Sequence, residues 1–149
     1  MKYFSESGIE LRYGSPFSAG IDLPFYDEKL EEVVLMPGDT KLIKTGVHME
    51  IPVGYVGFLD TRSSSGKAGI DLMCRTIDSD FRGNIRLLII NHSQNPITIG
   101  RGQFIAQIVI MKLQDDRMLE KVSSLDELTP TERGENGFGS TGKGIGTEK

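Results

Sequence analysis

The stretch Gly46-Val47-His48-Met49-Glu50-Ile51-Pro52-Val53-Gly54-Tyr55-Val56-Gly57-Phe58-Leu59 reads as two short strands around a Pro-Val-Gly turn. Upstream, Met36-Pro37-Gly38-Asp39 is a strong turn signal, and Leu42-Ile43 sits in a further short apolar run. Downstream, Ile85 to Asn91 and Phe104 to Met111 read as strands. They are joined by the turn-rich His92-Ser93-Gln94-Asn95-Pro96 and Gly100-Arg101-Gly102. Turns recurring about every eight to twelve residues are the spacing of an all-β sandwich or barrel. No helical periodicity of useful length precedes Met111. Towards the start, Val33-Val34-Leu35 is a strand and Asp27 to Glu32 a charged connector. In Ala19-Gly20-Ile21-Asp22-Leu23-Pro24-Phe25, the residues flanking Asp22 should face a core. Residues 1 to 18 are polar and broken by Gly8, Gly14 and Pro16, with Ile9 and Leu11 as candidates for a short strand. Ser124-Leu125-Asp126-Glu127 has the form of a capping box.

A chain of 149 residues suits one domain with a real core, and 38% hydrophobic and 26% charged residues are ordinary for a soluble globular protein. No apolar run approaches a membrane span, and the first residues lack the apolar centre of a signal peptide. Cys74 is the single cysteine, which leaves no intrachain disulfide or cysteine-based zinc cage and fits a reducing, cytoplasmic setting. A net charge of -4 argues against a general nucleic-acid binder, although local positive charge and backbone N–H groups could still hold an anion.

Three stretches could carry chemistry. In Thr76-Ile77-Asp78-Ser79-Asp80-Phe81-Arg82-Gly83, the two acids share a face if the segment is extended and diverge if it turns at Ser79. Arg62-Ser63-Ser64-Ser65-Gly66-Lys67 offers a permanent guanidinium, hydroxyls and a glycine turn, which suit phosphate, though its spacing is not that of a Walker A loop. The plain alternative for each is a solvated turn. Arg133-Gly134-Glu135-Asn136-Gly137-Phe138-Gly139-Ser140-Thr141-Gly142 combines glycines, hydroxyls and one ring that has no core to join. It reads as a disordered end or as an arm ordered by a ligand or neighbour, with Phe138 set to stack on a flat ligand. His48 and His92 lack metal-ligand spacing and are not read as functional. No serine stands with a recognisable His and acid for acyl transfer.

In order, Ala19 to Leu23, Arg62-Ser63-Ser64, Ile77 to Gly83, Ile105-Ala106-Gln107-Ile108-Val109 and Arg133 to Gly142 resemble the five motifs of the trimeric dUTP diphosphatases (dUTPases). Gly46 to Pro52 matches as well. The resemblance runs from about Ser18 to Gly142 and implies a distorted jelly-roll, β-barrel-like domain over residues 1–130 and a glycine-rich arm over 131–149. It implies a homotrimer with shared active sites, motifs one, two and four coming from one subunit, three from a second and five from the third. The reaction would be hydrolysis of dUTP to dUMP and pyrophosphate, with Asp78 as general base and Asp22 supporting this region. Arg62, Ser63, Ser64, Gly66, Arg86 and Gln107 are expected at the substrate. Thr76 and Ile77 would meet the pyrimidine edge, and Phe81 would pack on the deoxyribose. Arg133, Phe138, Gly139, Ser140 and Thr141 would close over the nucleotide. Mg2+ would be held by phosphates and water with no direct protein ligand. Neither nucleic acid nor membrane is an expected partner.

Several positions depart from that pattern. Asp60-Thr61 replaces Ala-Pro before Arg62, and Arg75 replaces a Gly. Phe81 replaces Tyr, Asn136 a Gly and Phe104 an Arg. The stretch from Gly69 to Asp78 is short, with Leu72 about where an Asn meets the base. The related dCTP deaminases are the less favoured reading, because their catalytic Glu falls where this chain has Leu87-Leu88. A nucleotide-binding relative with a regulatory protein partner is the other alternative.

Overall fold

The computed structural model describes residues 1–114 and 119–135. The chain divides into two compact units, Met1–Asp115 and Asp116–Lys149. Among the described residues of the first, eleven strands run as β1 (Lys2–Ser5), β2 (Gly20–Pro24), β3 (Glu32–Leu35), β4 (Thr40–Lys44), β5 (Val47–Glu50) and β6 (Tyr55–Thr61). They continue as β7 (Ile70–Leu72), β8 (Thr76–Ile77), β9 (Arg86–Asn91), β10 (Ile97–Gly100) and β11 (Phe104–Lys112). One helix, α1 (Ser63–Ala68), interrupts them. The all-β expectation holds. Every strand pair is antiparallel, in a four-stranded sheet β2-β11-β6-β8, a three-stranded sheet β4-β9-β7, and the pairs β1-β5 and β10-β3.

The core follows from period-two alternation. Along β9, Leu87, Ile89 and Asn91 are buried, while Arg86 is exposed and Leu88 and Ile90 are half-buried. Ile21 and Leu23 are buried on either side of Asp22, as their spacing predicts. With Phe25, Leu35, Val47, Ile51, Leu59, Ile99 and Ile108 these side chains form one apolar cluster. Asn91, fully buried, is satisfied at both ends of its amide. Its Nδ2 donates to Leu35 O at 3.0 Å and Asn95 O at 2.8 Å, and its Oδ1 accepts from the backbone and hydroxyl of Ser93.

Two local expectations fail. The early strand forms at Lys2–Ser5 rather than at Ile9 and Leu11, because pairing with β5 in the register Lys2↔Glu50 to Ser5↔Val47 decides its place. Leu11 packs against the core outside any strand. Six residues before Met111 are helical: Ser63–Ala68 is a helix where a turn is expected. Its serines and glycine are poor helix formers and show no apolar stripe. The turn is held at its ends and middle instead. Gly66 N–H donates to Arg62 O, Ser65 is buried, and Gly69 closes the C-terminus in the left-handed region at φ 98°. In the second unit, Leu125–Glu127 forms a short 3₁₀ turn, with Glu127 Oε1 accepting from Ser124 N–H at 3.0 Å as the capping box predicts.

Candidate active site

Asp22 on β2, Gln107 on β11 and Asp60 on β6 lie opposite one another in register. Cross-strand partners share a sheet face, so these three side chains form a row on the face away from Ile21, Leu23, Leu59 and Ile108. Arg62 leaves the end of β6 and folds back over this row. Its Nε lies 3.0 Å from Asp22 Oδ1, and its Nη1 donates to Phe104 O at 3.1 Å. Pairing of β11 with β2 shifts register between Phe104 and Ala106. The irregularity leaves consecutive Ile105 and Ala106 both buried and turns the Phe104 and Ile105 carbonyls towards Arg62. The guanidinium also sits 5.9 Å from the Phe104 ring centroid.

This fixes a cation beside a cleft of about 320 Å³ lined by Asp22, Arg62, Ser63, Ser64 and Gln107. The Ser63 and Ser64 residues are exposed. Gln107 Nε2 points to Thr61 O at 3.4 Å. Gly20 makes room for that amide, since a Cβ there would lie 2.3 Å from Gln107 Oε1 and 2.9 Å from its Cβ. The Ala-Gly-Ile-Asp motif thus shapes the cleft twice, through the missing side chain of Gly20 and the carboxylate of Asp22. Gly66, expected among the substrate contacts, uses its N–H within α1.

Asp78 is elsewhere. It follows β8, which pairs with β6 on the side away from β11. Three inter-strand steps separate β2 from β8, roughly 14 Å at ordinary sheet spacing. Thr76 lies opposite Phe58, so Asp78 is also displaced along the strand from Arg62. The chain then turns, with Phe81 N–H donating to Asp78 O at 3.1 Å. Of the two geometries open to Asp78 and Asp80, the turn at Ser79 is the one formed, and both acids are exposed. Arg82 Nη1 closes the turn by donating to Ser79 O at 2.6 Å and Phe81 O at 2.9 Å. The Phe81 ring lies over Gly83, where a Cβ would come within 2.6 Å of it. Arg86 is on β9 opposite Lys44 and lines another cleft with Lys41 and Leu42, apart from Arg62. Arg133 is described in the second unit. Phe138, Gly139, Ser140 and Thr141 fall outside the described residues.

His48, set aside in the sequence, is tied to the Asp78 loop. Its Nδ1 lies 2.9 Å from Arg82 O and its Nε2 2.9 Å from Glu6 Oε1, which also accepts from Asn84 Nδ2 at 3.1 Å. A carbonyl and a carboxylate only accept, so both ring nitrogens donate and the imidazolium is favoured. The Glu6 hydrogen bond, helped by the Arg82 carbonyl, holds the His48 pKa above its ordinary 6.5. The His48 hydrogen bond, with that of Asn84, holds Glu6 below its ordinary 4.5. The stability from His48 is fully present below pH 6.5 and lost as pH rises through its raised pKa. That from Glu6 is present above pH 4.5 and lost as pH falls through its lowered pKa. The pair therefore contributes most between those two values. In Glu6→Gln the NMR titration midpoint of His48 should drop towards 6.5; an unchanged midpoint would refute the pairing.

His48 is 42 residues from Glu6 and 34 from Arg82 in sequence, and pairing of β5 with β1 brings it beside Glu6. A sequence pattern gives no signal for that contact. The sequence model of the dUTPase family matches residues 7–142. The chain belongs to the dUTPase family. It is a hydrolase of dUTP, the activity that converts this nucleotide to dUMP. A deoxyuridine 5'-triphosphate nucleotidohydrolase of Caldanaerobacter subterraneus subsp. tengcongensis is 41% identical over 133 residues, covering 87% of this chain and 86% of its own. That of Nautilia profundicola is 39% identical over 146 residues, covering 96% and 97%. Among solved structures, Staphylococcus bacteriophage 80alpha dUTPase with dUPNHPP superposes with a TM-score of 0.81 at 27% identity, covering 95% of this chain and 98% of the other. These dUTPase likenesses leave the deaminase reading without support. Among the described residues, no helix is long and apolar enough to cross a membrane.

Proposed function

We propose that three copies of this chain share their active sites and hydrolyse dUTP at the α-phosphorus, with Asp78 of one copy acting on phosphates held by the Arg62 cleft of another. The observation that carries this reading is the separation of Asp78 from Arg62 within one chain: Asp78 lies beside the start of β6 and Arg62 just past its end, yet both are needed at one reaction. A second copy brings them face to face. A third supplies the arm from residue 131 onwards, in which Arg133, Ser140 and Thr141 close over the terminal phosphate while Phe138 and Gly139 cover the base.

In the reaction, the Asp78 carboxylate accepts a proton from water as its oxygen attacks the α-phosphorus. The bond from that phosphorus to the α,β-bridging oxygen breaks and pyrophosphate leaves. Arg62, locked by Asp22 and Phe104 O, holds its charge in place before the substrate arrives, so little reorganisation opposes charge build-up on the phosphates. Ser63, Ser64 and the Gln107 amide donate to phosphate oxygens, Ser63 towards the leaving group. Thr76 and Ile77 present backbone groups to uracil, and Phe81 crowds the sugar where a ribose would carry its 2′-hydroxyl.

A divalent metal fits this arrangement if the substrate supplies most of its oxygens. Among the described residues no group of three or more His, Cys, Asp or Glu side chains is placed to hold an ion, and Asp22 is engaged by Arg62. Mg2+ dehydrates reluctantly and suits triphosphate oxygens and water. When bound it would neutralise phosphate charge, with Asp22 supporting it through water.

The test is pyrophosphate release from dUTP, dCTP, dTTP and UTP side by side. dUTP should be best and UTP strongly disfavoured. dCTP and dTTP should be lower yet measurable, because the short stretch with Leu72 offers no side-chain amide to the base; one lost contact relaxes discrimination by about 1 kcal/mol or more. A preference for dCTP or dTTP would overturn the base-edge assignment.

A further inference from the structure

Arg75 immediately precedes Thr76 and is gripped by carboxylates from two other strands. Its Nη1 donates to Asp60 Oδ1 on β6 at 2.7 Å, and its Nη2 to Asp71 Oδ1 on β7 at 2.6 Å. Each acceptor oxygen also takes a backbone N–H, from Thr61 at 2.9 Å and from Leu72 at 2.7 Å. Both carboxylates are thereby oriented for the guanidinium. The Arg75 carbonyl accepts from Leu59 N–H at 2.7 Å, which extends the β6–β8 pairing by one residue.

These ties matter because β8 is two residues long and lies at the edge of its sheet. A strand that short does not specify its own register. The arginine side chain is 30% exposed and the two acids 48% each, so their ion pairs contribute little net stability. A planar fork with two fixed acceptors supplies geometry instead. The glycine usual at this place in the family has no side chain to do so, and Asp60, another departure from the family pattern, is a partner of Arg75 here.

We propose that Arg75, clamped by Asp60 and Asp71, is a positioning residue that sets base specificity by fixing the register in which Thr76 and Ile77 read the pyrimidine. The proposal rests on the base-edge assignment made above. Readout by hydrogen bonds discriminates only while donors and acceptors stay in place, and a displacement of about 1 Å is enough to spoil it.

The experiment uses the full-length chain with Arg75→Gln and Arg75→Lys, measuring kcat and KM for dUTP and dCTP, inhibition by inorganic tripolyphosphate, and Tm. For Arg75→Gln, KM for dUTP should rise about tenfold with kcat within about twofold, and the preference for dUTP over dCTP should fall about fivefold. Tripolyphosphate inhibition, which reports the phosphate cleft alone, and Tm should not move. Arg75→Lys should recover part of the preference. An unchanged preference, or equal losses for dUTP, dCTP and tripolyphosphate, would overturn the proposal. Should Arg75→Gln fail to fold, Asp60→Asn removes half of the clamp and carries the same expectations at smaller size. Amide shifts of Thr76 and Ile77 on adding α,β-imido-dUTP to the unaltered protein separate the two ideas. If they stay still, the base-edge assignment fails; if they move while Arg75→Gln keeps its preference, the clamp alone fails.

Discussion

Asp78→Asn should lower kcat for dUTP by about 10²–10⁴-fold, the contribution of a positioned general base, while nucleotide affinity changes little. The substitution keeps the size of the side chain and one acceptor but removes the carboxylate proposed to take the proton from water. Asp78 is exposed and its backbone carbonyl, not its carboxylate, closes the turn to Phe81, so the loop should survive the change. Single-turnover rates beside equilibrium binding of α,β-imido-dUTP separate the two effects. Turnover near that of the unaltered protein would remove Asp78 from the mechanism.

Truncation before Arg133 should leave the remaining chain folded and trimeric yet reduce kcat/KM by at least about a hundredfold, since closing segments contribute that much through positioning and base stacking adds roughly 1–3 kcal/mol. The core cluster lies wholly within residues 21 to 108, so nothing buried there is removed. Complementation makes the test sharper. Truncated subunits keep Asp78, and Asp78→Asn subunits keep the arm. Mixed under conditions of subunit exchange, they should regain part of the activity, because some sites then combine a sound base with a sound arm. A monomer in light scattering, or full activity without the arm, would contradict the shared-site arrangement.

The two experiments probe the same architectural point from different sides. Both test the proposal that the Asp78 carboxylate, which follows β8 beside the start of β6, and the Arg62 guanidinium, past the end of β6, meet one phosphate only between chains.

Much of this was legible in the sequence. Local alternation alone places Leu87 and Ile89 inwards with Arg86 outwards, and Ile21 and Leu23 inwards with Asp22 on the opposite face. Turn chemistry at Pro37-Gly38 and Gly100 to Gly102 marks strand ends, and the order of motifs carries the family. These are short-range properties, and each is set by residues a few positions apart. Other features depend on partners distant in sequence, and only the tertiary structure decided them. The helix at Ser63–Ala68 exists against the preferences of its own residues, because Arg62 and Gly69 are fixed at its ends. The turn at Ser79, rather than an extended strand, depends on Arg82, whose guanidinium closes it. Glu6 meets His48 across 42 residues, and Asp60 meets Arg75 across 15. Periodicity is silent about such pairs, since a charged side chain on an exposed face satisfies the same pattern whether or not a partner waits on the next strand. Register supplies the partner, and register belongs to the folded sheet.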